Sequence, residues 1–242
     1  HHQPRRQRQM CIRDSSTGGA FAALKDDGSV ITWGDSDGGG NSSNVASDLQ
    51  SGVSQIFSTS SAFAALKDDG SVITWGNSDL GGDSSGVALQ LKSDISQIFS
   101  TYKAFAALKD DGSVITWGNS DQGGDSSSVT LKLQSGVSQI FSSVGAFAAL
   151  KDDGSVVTWG IPRYGGESGS ASSQLSSGVN QVFTADSAFA ALKEDGSVIT
   201  WGDSYYGGDS SNVSSQLMSG VSRIVSTGGA FAALKDDGSV IT

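Results

Sequence analysis

The chain has 242 residues, 25 acidic against 15 basic, for a net charge of −10, with one cysteine and two histidines. That balance argues against polyanionic partners, whose binding rests on Lys and Arg neutralising phosphates, and a single cysteine excludes a disulfide framework. No apolar run approaches the roughly 18 residues that a membrane-spanning helix needs, so no membrane insertion is expected.

The first fourteen residues, HHQPRRQRQMCIRD, resemble nothing downstream. They hold both histidines, the only cysteine (Cys11), four of the fifteen basic residues and one of the two prolines. Residues 5–14 resemble a sequencing adapter translated in one frame, so residues 1–14 are expected to be non-native, disordered and without function. The alternative is a disordered basic tail for anionic surfaces. Setting aside their four arginines and one aspartate leaves eleven basic and twenty-four acidic residues, a net charge of −13. No histidine or cysteine then remains, which removes the commonest metal and general-base chemistry.

From Ser15 onward one phrase recurs. AFAALKDDGSVITWG begins at Ala20 and returns nearly unchanged at Ala62, Ala104, Ala146 and Ala188, with a partial copy from Ala230. Phe21, Phe63, Phe105, Phe147, Phe189 and Phe231 mark six units, each 42 residues from the next. Periods of this size signal solenoids, propellers or arrays. In one unit, GVSQIFST (52–59), AFAALK (62–67) and SVITWG (71–76) each read as a strand. Asp69-Gly70 between the last two is a hairpin signal, because a tight primed turn needs positive φ. Gly28, Gly112, Gly154, Gly196 and Gly238 hold the equivalent position. AFAALK favours helix by propensity, but six residues between turn signals are too few for a helix to hold. Its lack of a polar face predicts a sheet buried on both sides. Trp33, Trp75, Trp117, Trp159 and Trp201 should pack each third strand against a neighbouring unit. SSNVASDLQ (42–50) suits either a short outer strand or a helical turn. The expected fold is all-β: a β-propeller of 42-residue repeats with three- to four-stranded antiparallel blades. Residues 15–242 hold about five and a half units.

The pattern AxALKxDGxVxxWGxxxxGG followed by SGVxxI resembles the regulator-of-chromosome-condensation repeat and its shorter bacterial relatives, including β-lactamase-inhibitor-protein propellers. The resemblance covers Ser15 to Thr242. Since those bacterial propellers close with seven blades, it implies an open or strained arc here. Two departures stand out: the family's Gly-x-x-His before the second strand is absent, and its loop Asn is Ser36, Ser78, Ser120, Pro162 or Ser204. The fold transfers; a specific partner does not.

Catalysis is not expected. A nucleophilic serine needs a base within reach, usually His, and the repeats contain none. Carboxylate pairs such as Asp26-Asp27 recur in every unit, as turn chemistry would require and a single active site would not. Gly39-Gly40 is not followed by Lys-Ser/Thr, so it is no phosphate cradle. Asp79, Asp83, Asp121 and Asp125 sit at spacings reminiscent of calcium loops but lack the distal bidentate Glu. A calcium-stabilised adhesive array of a secreted or cell-surface protein is therefore the alternative reading. An accessory domain of an enzyme outside this chain is the third.

Variation points elsewhere. The pair before each AFAAL and the four residues after each Trp-Gly change from unit to unit, and alternating strand directions put both loops on one rim. All four tyrosines fall there (Tyr102, Tyr164, Tyr205 and Tyr206), with Lys103 and Arg163. Tyr and Arg are frequent interface anchors, and loops on a rigid scaffold commonly carry recognition. The two cations suggest an acidic or polar protein or glycan partner. Extracellular or microbial cell-surface localisation is the leaning.

Overall fold

The computed structural model describes residues 13–242. Six three-stranded antiparallel sheets follow one another along the chain. The first comprises β1 (Arg13–Ser16), β2 (Ala20–Leu24) and β3 (Val30–Gly34); the second β4 (Val53–Ser58), β5 (Ala62–Lys67) and β6 (Val72–Gly76). The third has β7 (Ile95–Ser100), β8 (Ala104–Lys109) and β9 (Val114–Gly118); the fourth β10 (Val137–Ser142), β11 (Ala146–Lys151) and β12 (Val156–Gly160). The fifth holds β13 (Val179–Thr184), β14 (Ala188–Lys193) and β15 (Val198–Gly202); the sixth β16 (Val221–Ser226), β17 (Phe231–Lys235) and β18 (Val240–Ile241). Among the described residues no sheet gains a fourth strand. The segment after each Gly-Gly forms short 3₁₀ turns instead, as at Ser43–Val45.

The expected boundary after Asp14 falls inside β1, where Asp14 pairs with Ala23. The rest of the segment read as foreign, Cys11 included, lies outside the described residues. Pairing is carried by backbone N–H and C=O groups, which a polar residue supplies as well as an apolar one. Asp14 takes the place that Ile56 holds in the second unit, and Ser15 Oγ donates to the Ile56 carbonyl at 3.0 Å.

Each core lies between consecutive sheets. Ala62, Ala64 and Leu66 on one face of β5 pack against Phe105, Ala107 and Trp117 of the third sheet, and Leu91 closes the cluster. The other face of β5, Phe63 and Ala65, packs against Ala20, Ala22 and Leu24. Both faces of the middle strand are therefore buried, and alanines let the sheets approach closely. Phe63, Phe105, Phe147 and Phe189 are 0 % exposed, and each stacks on its cross-strand Trp at 5.2–5.3 Å between ring centroids. Such pairs add about 0.5–1.5 kcal/mol beyond area burial.

The Gly-Gly loop joins one unit to the next. Gly81 has φ 104°, and a Cβ there would lie 2.6 Å from the Phe105 ring of the following unit. Its carbonyl accepts a hydrogen bond from Trp117 Nε1 at 3.1 Å. Trp75, Trp159 and Trp201 repeat the contact at 3.0–3.2 Å on Gly39, Gly123 and Gly165. Trp33, in the first sheet, remains 47 % exposed.

Candidate functional site: the variable rim

Hydrogen bonds place both variable loops on one rim. Asn119 N donates to Lys103 O, Ile161 N to Gly145 O and Asp203 N to Ser187 O, each at 2.9 Å. A hydroxyl strengthens the junction in the second to fourth units: Thr59 Oγ1 donates to Leu80 O at 2.9 Å, Thr101 Oγ1 to Gln122 O at 3.0 Å, and Ser143 Oγ to Tyr164 O at 2.9 Å, whereas the fifth unit has Ala185 there. At the opposite rim, the Asp-Asp-Gly turns bind the start of their own unit, with Asp110 N donating to Asp94 O, and of the next, with Val137 N donating to Gly112 O.

The first residue of each variable pair is a node in a backbone chain. Gly18 N donates to Ser60 O, Ser60 N to Tyr102 O, Tyr102 N to Val144 O, Val144 N to Asp186 O and Asp186 N to Gly228 O, at 2.7–2.9 Å. Side chains at these nodes are thereby released from a fastening role. Tyr102 is 55 % exposed and Val144 also faces solvent.

The fourth unit differs from its neighbours. The other described units carry Asp35, Asn77, Asn119 or Asp203 after Trp-Gly, and these side chains accept from backbone N–H groups of the turn. Here the position is Ile161, followed by Pro162-Arg163-Tyr164. A Cβ on Gly145 would stand 2.8 Å from the Tyr164 ring and 3.0 Å from Ile161 Cδ1. Gly145 therefore opens the seat on which Tyr164 and Ile161 lie. Arg163 reaches the next unit, its Nε donating to Asp203 Oδ2 at 2.6 Å. The Asp203 side chain is only 3 % exposed. The Tyr205 backbone N–H, then the guanidinium, holds this carboxyl below the usual carboxylate range, and Asp203 in turn raises the Arg163 guanidinium. Tyr206 follows half-buried, and Tyr205 is 85 % exposed.

Tyr102, Tyr164, Tyr205 and Tyr206 thus occupy one rim of three consecutive units, as the alternating strand directions implied. Arg163, expected to be a free cation, is instead neutralised. Gly145 and Ile161, which seat Tyr164, were absent from the expected site. Its signal was there in the sequence, since the one unit lacking an Asx after Trp-Gly also has Gly at the second variable position between Lys103 and Ser187.

The spacing suggestive of calcium has another cause. Asp83 and Asp125 accept from the backbone N–H two residues on, Ser85 and Ser127, at 2.8 Å, closing Asx turns. Asp79 and Asp121 lie in single 3₁₀ turns. Among the described residues no three of His, Cys, Asp and Glu gather as a ligand set.

No protein-family model matches the chain, and no curated protein matches it by sequence. Solved structures do. The structure of Saccharomyces cerevisiae Prp20p aligns at TM-score 0.54 and 19 % identity, covering 98 % of this chain and 72 % of that one. Yeast RCC1 (Prp20) bound to Kap60 gives TM-score 0.54 and 18 % identity over 98 % and 70 %. The chain has the RCC1-like propeller-repeat fold. Human WBSCR16 aligns at TM-score 0.47 and 20 % identity, and the chain spans 64 % of its length. Against an RCC1-like background of near-identical units, the departures in the third to fifth rim loops are local and confined to one side. No helix among the described residues is long and apolar enough to cross a membrane.

Proposed function

We propose that the chain is a non-catalytic scaffold that binds a protein partner through the variable rim. The observation that carries this reading is the convergence of four tyrosines from three successive units onto one rim, with Tyr205 85 % exposed. Tyrosine offers large contact area and a hydroxyl at low entropic cost, and the sheets behind it supply a rigid support. A protein is preferred over a glycan because the structurally similar Prp20p is described with Gsp1p and histones, and RCC1 (Prp20) with Kap60. The repeats themselves hold no histidine to serve as a base for a serine, which supports a role without catalysis.

The test compares two rims. Tyr164→Ala and Tyr205→Ala should each weaken a purified protein partner by about 2 kcal/mol, the scale of an interface hot spot. Asp68→Asn and Asp110→Asn at the opposite rim should leave affinity unchanged. Equal losses from both rims would refute a dedicated face.

A further inference from the structure

Resting on that reading, we infer that the rim over the third to fifth units takes a basic polypeptide segment carrying a large apolar side chain. The apolar half of the site is built in place: Gly145 leaves room for the Tyr164 ring and Ile161, and Pro162 beside them is exposed. Gly145, Ile161, Pro162 and Tyr164 together form a preformed platform, which spares a ligand the ordering cost of binding.

The charge half follows from the ion pair. Arg163 is cancelled by Asp203, leaving Lys103 against Asp121, Asp125, Glu167 and Asp186 on the same loops. A groove of about 480 Å³ runs between the loops after Trp117 and Trp159, lined by Asp121, Asp125, Glu167, Ile161 and Pro162 among others. Asp121 and Glu167 make no hydrogen bond or ion pair within the described residues. The chain itself shows what such a gap accepts. One unit further on, Arg163 spans from its own loop to Asp203. In the gap between the third and fourth units, Asp121 replaces that arginine and Ile161 replaces that aspartate, so the chain supplies no cation. An incoming Lys or Arg would meet free carboxylates at the edge of an apolar seat, and the excess negative charge would steer it there.

Fluorescence anisotropy with three labelled dodecapeptides tests this: Lys alternating with Leu and Trp, the same with Glu for Lys, and Lys alternating with Ser. The Lys–apolar probe should bind best. Tyr164→Ala should weaken it about tenfold and the pair Asp121→Asn/Glu167→Gln at least ~threefold, as for anchor and peripheral contacts. Asp68→Asn/Asp110→Asn should change it less than ~twofold, with folding checked by circular dichroism, because exposed charges far from an interface contribute little. Tighter binding of the Glu probe, still lost in Tyr164→Ala, overturns the basic partner and leaves the rim reading standing. Binding that responds only to the opposite-rim changes overturns both. No binding by any probe, or equal binding by Lys–apolar and Lys–Ser, overturns this inference alone.

Discussion

Gly145 is a residue whose value lies in what it lacks. A methyl group there would meet the Tyr164 ring at 2.8 Å, and the ring, being the end of a flexible side chain, would swing out. Gly145→Ala should therefore reduce partner affinity without touching a contact residue, while the melting temperature moves little; loss of both together would show that Gly145 serves only the fold. Trp117 is the converse, a residue the fold uses and the rim does not. It is buried, stacks on Phe105 and bonds to Gly81 of the preceding unit. Trp117→Ala should cost about 3–5 kcal/mol of stability in denaturant unfolding. The tryptophans were legible in the sequence, because a large aromatic at a 42-residue period has few other uses. The Arg163–Asp203 pair was not, since the residues stand 40 apart and their meeting depends on how far one loop leans toward the next.

At the scale of elements, the Asp-Asp-Gly-Ser hairpin is a repeated acid-sensitive unit. In each turn the second carboxylate accepts from the Ser hydroxyl two residues on, at 2.6 Å, and from the same serine's N–H. Chiefly through the hydroxyl, this holds Asp27, Asp69, Asp111, Asp153, Asp195 and Asp237 below the ordinary carboxylate range. A folded-state value below the unfolded one stabilises the fold above the unfolded value, about 3.9, and that contribution is lost as pH falls through the folded value. Stability from urea titrations should hold level from pH 7 to 5 and drop below about pH 4. Replacing these serines with Ala should flatten the drop; an unchanged profile would assign acid sensitivity to other groups. The strands and turns were readable from period and turn chemistry. β1 begins at Arg13, inside the segment read as foreign, because a polar segment can still pair through its backbone. For the Gly-Gly loop the sequence excluded a phosphate cradle but did not show that its first glycine makes room for the next unit's Phe.

For the whole molecule, the two end sheets contrast with the four between them. Phe21 is 46 % exposed where Phe63, Phe105, Phe147 and Phe189 are 0 %, and at the other end Val225 and Val240 are open. Exposed apolar sheet faces promote association, so the 242-residue chain should show concentration-dependent sedimentation that Phe21→Ser/Trp33→Lys suppresses. A monomer at all concentrations would show that both faces tolerate water. The backbone chain from Gly18 to Gly228 has a different consequence. Because amides and carbonyls fasten the units there, the side chains at positions 60, 102, 144 and 186 can be rewritten while the fastening stays. Proline alone breaks the rule, since it has no N–H to pass on. Those four positions form a natural library site, where randomisation without proline would yield new binding specificities on an unchanged frame.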